Sequence, residues 1–242
     1  MEKGARLITG CRVENLLIKD GAVTEVHARK GLTAASFQAD LVVLAAGGFG
    51  TPVILENSGI ACDRTLFVDP VLCVAGIKKN FGQDKQLLMP FFSARDGYML
   101  SPYMDYLSFF FNKDWRYPMK DIVSVMIKLA DESGGYTDAK GIHKGLTQPD
   151  EALLLRAVED CYAVLEGLGI SRKDAFLGTV NAGHPGGCLP LTRETAATLH
   201  DSRLPDNLYV ADGSLLPKSL GMPPILTIMA LALKVATKIE EA

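Results

Sequence analysis

The fold class is decided by the stretch LVVLAAGGFG, which occupies residues 41–50. Its first six residues form a continuous apolar run, which is typical of a strand buried on both faces, as in a parallel sheet. Glycines then interrupt the run, and Thr51-Pro52 has the pattern of a helix start, with Thr51 as the cap and Pro52 in the first helical position. We therefore predict a strand, a glycine turn and a helix that ends near Asn57, before Gly59.

The residues before this stretch alternate as β-strands do. Residues 6–11 lead into a run at 12–19, and Asp20-Gly21 separates that run from residues 22–29. Asp-Gly between two such runs is a strong hairpin signal, because both turn positions favour positive φ. We expect two antiparallel strands here.

The tail of the chain returns to α/β texture. Residues 207–211 are predicted to be a short strand and Asp212-Gly213 a turn. A helix is expected over about 224–240, with Pro224 in its first position. Its first half is apolar nearly all round, which predicts that it is buried.

The middle of the chain is rich in aromatic residues and short β-like runs. One helix is predicted there over about 149–166, with Gly167 as its stop. Its apolar positions recur at helical spacing and indicate core packing: Leu153, Leu154, Ala157, Val158, Cys161, Tyr162 and Leu165. The predicted fold class is therefore α/β with an α+β insertion, in which residues 1–61 and 189–242 form one lobe and 62–188 form the other.

Composition excludes several classes of protein. Lys and Arg number 25 against 28 Asp and Glu, a net charge of −3, which is not the basic balance of a nucleic-acid binder. The five cysteines form no C-x-x-C pair, so we expect neither a disulfide framework nor a zinc site. No signal peptide or membrane span is evident. We expect a soluble, cytoplasmic protein with no membrane partner and no metal.

His184 is the strongest candidate for chemistry. It lies in NAGHPGGC, residues 181–188, where glycines let the backbone approach a ligand and Pro185 restricts the histidine. A histidine held in this way can act as a general base near neutral pH. The alternative is a tight turn in which His184 only bonds to the backbone.

Two further features concern anion binding. The amides of Ile225, Leu226 and Thr227 would have no partners within the last helix and would suit an anion, although the same helix start also fits a purely structural role. Residues 45–50 invite comparison with the dinucleotide fingerprint G-x-G-x-x-G. The spacing fails, because Val53 stands at the third glycine position after Gly48 and Gly50.

Together these segments resemble the glucose–methanol–choline (GMC) family of flavin-dependent oxidoreductases. The tail reads NLYVADGSLLP at 207–217 and GMPPILTIMALA at 221–232, similar to the blocks that close family members, and it looks most like the cholesterol oxidase branch. HPGGC at 184–188 is similar to the family segment whose histidine faces the flavin. Residues 41–60 are similar to the family's V-V-L-A-A-G…S-G-I segment, whereas the middle of the chain matches poorly.

The resemblance implies a partial FAD/NAD(P)-binding lobe, a β-sheet substrate domain carrying helices, and the oxidation of a small-molecule alcohol to a carbonyl compound. It implies that His184 is the base and that hydride goes to flavin N5. The cofactor contacts that it implies are Val13, Ala46, Gly47, Asp212, Gly213, Pro224, Ile225 and Leu226. The helix start would then stabilise the charge that a reduced flavin develops at N1 and O2.

Two departures from the family leave alternatives open. The amino-terminal βαβ unit is missing, so we expect a fragment or subunit of an FAD enzyme whose partner is that segment, with possible self-association and little FAD retained by this chain. Pro223 stands where the family has an Asn or His that pairs with the active-site histidine. Pro223 favours a second hypothesis, a non-catalytic binding or regulatory module that keeps the fold. An upstream reading frame with family-like sequence would favour the first.

Overall fold

The computed structural model describes residues 4–241, and its first layer is an antiparallel sheet of β1 (Cys11–Lys19), β2 (Ala22–Lys30) and β3 (Thr33–Phe37). The hairpin at Asp20-Gly21 is confirmed, with φ of 50° and 79° at the two turn positions. Residues 6–10, which alternate in sequence as strands do, form no strand, and Gly10 just before β1 has a φ of 64°.

The fold-deciding stretch forms a shorter strand than expected, β4 (Val42–Leu44). It pairs in parallel with β13 (Leu208–Val210), close to the strand predicted at 207–211. Val42 and Leu44 are buried, but Val43 is 42% exposed, so the expectation of a strand buried on both faces is wrong. The two neighbours of Val43 point into the core, and no described element covers the opposite face.

Helix α1 (Gly47–Asn57) ends where predicted, but its cap is Ala46, five residues before the expected cap at Thr51. Thr51 lies in the second turn, fully buried, and donates its hydroxyl to Asp212 at 2.6 Å. The backbone N–H of Gly47 donates to the same carboxylate oxygen at 2.9 Å. The acceptor at the helix start therefore comes from a distant part of the chain, and Thr51 and Pro52 are interior residues.

The middle of the chain builds an antiparallel sheet from β5 (Pro70–Ile77), β6 (Ser93–Arg95), β7 (Tyr98–Pro102) and β8 (Ile122–Leu129). Short strands β11 (Phe176–Leu177) and β12 (Asn181–Ala182) pair with β5, and the sheet order is β11-β5-β8-β7-β6. The remaining elements of this region are α2 (Tyr106–Phe111), the hairpin of β9 (Tyr136–Asp138) and β10 (Gly141–His143), and α4 (Thr195–Thr198) nearer the tail.

Helix α3 (Gln148–Gly167) confirms the predicted helix. Thr147 and Asp150 close a capping box at its start. Its buried face packs on the middle sheet through the expected apolar positions. The helix ends at Gly167, the predicted stop, and the left-handed glycine after its cap residue is Gly169, with φ of 81°.

Helix α5 (Ile225–Glu241) contradicts the predicted burial. Only Val235 is fully buried, while Leu226 is 80% exposed and Leu233 is 70% exposed. One side of the helix packs on the core through Leu231, Val235 and Ile239. The other side carries an apolar stripe that no described residue covers.

Three apolar cores organise these elements. One combines head and tail, with Leu16 and Leu55 packed among Leu208 and Val235. The other two lie on opposite faces of the middle sheet, one under α3 and one around Trp115. The result is a mixed α/β architecture of several sheets and few helices. Among residues 4–241, no helix is both long and apolar enough to cross a bilayer.

Candidate active site

His184 is held by its backbone against the segment that enters β5. Its N–H donates to Val68 O at 3.1 Å, and the N–H of Gly183 donates to Val68 O and Asp69 O. A side chain at Gly183 would place Cβ 2.8 Å from Asp69 O, so this close approach requires glycine. The loop therefore fixes the position from which the imidazole projects.

His184 lines a cavity of about 360 Å³. Pro223 and Ile225, at the start of α5, line the same cavity, so the sequence-predicted base and helix start are brought together. The other walls are mostly apolar, formed by Val71, Met89, Tyr103, Leu107 and Met126, with Asp105, Lys128 and Asn181 as polar members. Pro223 contributes neither an N–H donor nor a hydrogen-bonding side chain beside the histidine.

A buried ion pair lies behind His184, and sequence analysis missed it. Lys128 on β8 donates to Oδ2 of Asp69, and both residues are almost fully buried. Ser219 donates its hydroxyl to Oδ1 of the same carboxylate. The available signal was a lone lysine inside the apolar strand IVSVMIKL, because a charge there needs a buried partner.

A second buried carboxylate fixes the backbone of this region. Asp131 accepts hydrogen bonds from the N–H groups of Val68 and Asp69 at 3.0 and 2.9 Å. Lys144 pairs with Asp131 at 3.0 Å. The segment that carries Asp69 and supports His184 is therefore held by two balanced charge pairs.

These charges and the local burial lower the pKa of His184. Burial is the main cause, the positive charge of Lys128 acts in the same direction, and Asp69 opposes both. Burial likewise lowers the pKa of Lys128, against the attraction of Asp69. The result favours the neutral imidazole, which is the form that can accept a proton.

Three glycine-containing segments meet at the residues that follow His184. A Cβ on Gly48 of α1 would collide with the carbonyl group of Pro185, and a Cβ on Gly186 would collide with the carbonyl of Gly213. Ile228 of α5 approaches within 3.7 Å of the position that a Gly213 Cβ would take. The sequence-predicted residues around Gly47, Gly213 and the start of α5 are thus neighbours.

Asp212 anchors these turns. Besides its bonds from Gly47 and Thr51, it accepts from the N–H of Ser214 at 2.7 Å. Asp212 is only 7% exposed, so its carboxylate serves as an internal acceptor. Asp212 is in fact the cap of a short 3₁₀ turn, Gly213–Leu215, and not only a turn residue as expected.

Val13 and Ala46 line a second, more open cavity of about 550 Å³. Val43, the exposed residue of β4, and Phe49 of α1 line it as well. Leu226 lines neither of these two cavities and projects from α5 into solvent.

The first turn of α5 is displaced by one residue from its predicted start. Pro224 precedes the helix, and its carbonyl accepts from the N–H of Ile228 at 2.9 Å. The amides of Ile225, Leu226 and Thr227 have no acceptor within the helix. They present a partial positive charge next to the glycine turns.

These features suit a large, partly anionic cofactor such as FAD. No described atom lies within 4 Å of where a Cβ of Gly47 would be, the helix start offers free amides, and Nδ1 of His184 is buried without a partner among the described residues. These residues would contact such a cofactor on one side only, because the exposed face of β4 and the apolar stripe of α5 are both open to solvent.

Comparison with known proteins gives matches in sequence and in structure. A family model described as GMC oxidoreductase matches residues 1–83. An uncharacterized protein of Methanocaldococcus jannaschii is 31% identical over 206 residues, which are 82% of this chain and 52% of that protein. The chain therefore spans about half the length of the curated relative that it matches.

Three solved structures share the fold. Pyridoxine 4-oxidase from Mesorbium loti superimposes with a TM-score of 0.75 at 18% identity, covering 98% of this chain and 58% of that one. Formate oxidase gives a TM-score of 0.62 at 16% identity, covering 96% and 60%. An FAD-dependent oxidoreductase from Chaetomium thermophilum gives 0.61 at 15% identity, covering 97% and 61%.

Proposed function

We propose that this chain, whose residues 1–83 match the GMC oxidoreductase family model, forms the substrate-facing part of an enzyme that oxidises an alcohol to a carbonyl compound with FAD. The observation that carries the proposal is the cavity in which His184 faces the start of α5. When bound, FAD would supply the acceptor for the hydride that leaves the carbinol carbon.

His184 is proposed as the proton acceptor. Its Nδ1 is buried, so Nε2 is the nitrogen available to the cavity. Nε2 would take the hydroxyl proton, which leaves the oxygen's electron pair free to form the C=O bond. A lowered pKa keeps this nitrogen unprotonated at neutral pH.

The cofactor would lie along the turns and the helix start. We assign Val13 to the adenine, Ala46 and Gly47 to positions along the cofactor, and Asp212 and Gly213 to its pyrophosphate–ribityl part. Residues 224–226 are assigned to the pyrimidine end of the ring. The convergence of these turns on one another supports the assignment. The exposed amides of α5 support it further, since they favour a group that becomes anionic.

The substrate is proposed to be a small alcohol with an apolar body. A cavity of about 360 Å³ with mostly apolar walls supports this class. The tail motif NLYVADGS supports placement near the cholesterol oxidase branch. Pyridoxine 4-oxidase, which shares the fold, is by its name an oxidase of a small organic molecule, in keeping with this proposal.

The proposed partner is a nucleotide-binding segment that covers the open side of the site. The exposed stripe of α5 and the exposed face of β4 support it. We propose two lobes, 1–61 with 189–242 and 62–188, and the separate apolar cores support this division. Residues 1–3 and Ala242, at the ends of the first lobe, lie outside the described residues.

The test is to purify the chain from its source with any bound partner and to record its absorption spectrum with and without candidate alcohols. We expect flavin bands in the complex and loss of those bands when a substrate alcohol is added. The isolated chain should not retain FAD, and a yellow isolated chain with flavin near one equivalent would contradict that part. Flavin that no alcohol reduces would favour the non-catalytic module, for which Pro223 is the supporting feature.

In the complete enzyme, His184→Ala should lower turnover by about 10²–10⁴-fold with flavin still bound, because a general base is removed. His143→Ala, on an exposed hairpin, is the matched control and should leave turnover unchanged. Pro223→Asn should leave or raise the activity, since it adds a hydrogen-bonding side chain beside His184. Full turnover in His184→Ala would show that the histidine is only a turn residue.

A further inference from the structure

We propose that Asp69 is the positioning residue of His184, and that Lys128 and Ser219 fix the Asp69 carboxylate for this purpose. The inference rests on the proposed function only in one respect, namely that Nε2 of His184 accepts the substrate proton. It concerns a residue set that the family motifs quoted above do not contain.

The geometry leaves Asp69 as the partner for Nδ1 of His184. Nδ1 is buried and has no hydrogen bond to any described residue. The nearest carboxylate oxygen, Oδ2 of Asp69, lies 3.7 Å away, and Asp69 is fully buried. A shift of under about 1 Å would bring the two atoms to hydrogen-bond distance, and such contacts often tighten only when ligands bind.

Lys128 and Ser219 hold that carboxylate in place. Each donates to a different oxygen, so the plane of the Asp69 carboxylate is fixed from two sides. Lys128 comes from the centre of the sheet, opposite Val71 on β5. Ser219 comes from the loop that leads to Pro223, so one carboxylate links the histidine loop, the sheet and the approach to α5.

The backbone around Asp69 is built for this role. Asp69 has a φ of 47°, a conformation that is uncommon outside glycine but more accessible to Asp and Asn. Asp131 holds the 68–69 amides, and Val68 O in turn accepts the N–H of His184. The contacts of its side chain and of its backbone therefore fix the position of Asp69 relative to His184.

The consequence is a defined imidazole tautomer. A proton on Nδ1 is favoured by the carboxylate behind it, which leaves Nε2 as the acceptor toward the cavity. The charged and titratable groups around the ring are Asp69 and Lys128 behind it and Asp105 and Tyr103 across the cavity. Without Lys128, the Asp69 charge would favour a protonated, inactive imidazole.

The test is a long-range ¹H–¹⁵N correlation spectrum of the full chain labelled with ¹⁵N-histidine, recorded above the pKa of His184. We expect His184 to be in the Nδ1–H form. The double variant Asp69→Gly/Lys128→Met removes both charges together, and glycine accepts the positive φ, so we expect loss of the single-tautomer signature.

Asp138→Asn is the matched control, because it alters the exposed contact of Asp138 with His143 at 3.1 Å and should leave the His184 signals unchanged. An Nε2–H form in the unmodified chain would overturn the inference, as would an Nδ1–H form that persists unchanged in the double variant. If the double variant does not fold, the tautomer of His184 in the unmodified chain decides the test by itself. An Nδ1–H form in a complex that oxidises no alcohol would sink the proposed function and leave the positioning role standing.

Discussion

At the scale of single residues, the structure concentrates charge in one buried place, behind His184. Asp69 and Lys128 are both nearly inaccessible to solvent, yet they carry opposite charges that satisfy each other. Desolvating two ions costs free energy that their attraction offsets only partly. Such a pair contributes little net free energy to folding. Positioning of His184 therefore explains the pair better than stabilisation of the fold does.

Lys128→Met alone should lower the free energy of unfolding by about 3–5 kcal/mol, because it leaves the Asp69 carboxylate buried without a counter-ion. Asp69→Gly/Lys128→Met should be less destabilised than the single variant, since no unpaired charge remains. Urea unfolding followed by circular dichroism measures both. A double variant that is less stable than Lys128→Met would contradict this account.

The lowered pKa of His184 predicts how stability changes with pH. The unfolded chain takes up a proton near the ordinary histidine value of about 6.5, whereas the folded chain does so only at lower pH. The free energy of unfolding should therefore fall as the pH drops below about 6.5, and this contribution should level off below the folded pKa. The difference between the unmodified chain and His184→Gln isolates it. A contribution of opposite sign, with stability gained on acidification, would show that the pKa is raised.

At the scale of elements, the start of α1 depends on a residue from the opposite end of the chain. Asp212 takes the place of a local cap by accepting from Gly47 and Thr51, and it also accepts from Ser214. This carboxylate joins the head and the tail of the lobe at the site where the glycine turns meet. Its role is structural and positional at once.

Asp212→Ala should cost at least about 3 kcal/mol of unfolding free energy, because it leaves three donors in a buried region without their acceptor. Thr51→Val should cost about 1.5–3 kcal/mol, because it keeps a similar shape but removes one donor to the charged group and the acceptor of the Ala46 N–H. Thermal and urea unfolding of the two variants test the order. Equal costs would mean that the other two hydrogen bonds contribute little.

These contacts explain which elements could be predicted from the sequence. The Asp20-Gly21 hairpin and α3 were predicted correctly because their signals are local: turn residues for the hairpin and apolar residues at helical spacing for the helix. The start of α1 was predicted wrongly because its acceptor, Asp212, is 165 residues from Gly47. His184 stood out by its neighbours in sequence, whereas Asp69 and Lys128 meet only through the pairing of β5 with β8.

At the scale of the whole molecule, apolar side chains remain exposed on one side of the described residues. Apolar cores fill the head-and-tail lobe and both faces of the middle sheet. The burial predicted for α5 fails only on one side of that helix, where Ile225, Met229 and Leu233 form an exposed stripe. Helix α5 is therefore apolar on two sides, as a helix packed on both sides would be. The described residues pack against only one of these sides.

An exposed apolar stripe of this kind should make the isolated chain self-associate. Met229→Lys/Leu233→Lys places two charges on the stripe, so we expect weaker self-association in sedimentation velocity and a stability within about 0.5 kcal/mol of the unmodified chain, as for other surface substitutions. Val235→Ala, on the buried side of the same helix, is the control and should cost about 2 kcal/mol through lost burial without reducing association.

The double substitution Met229→Lys/Leu233→Lys should also weaken binding of the proposed nucleotide-binding partner if the stripe is its docking surface. A chain that sediments as a clean monomer before any substitution would contradict the association, and a double variant that unfolds as readily as Val235→Ala would show that the stripe is already packed.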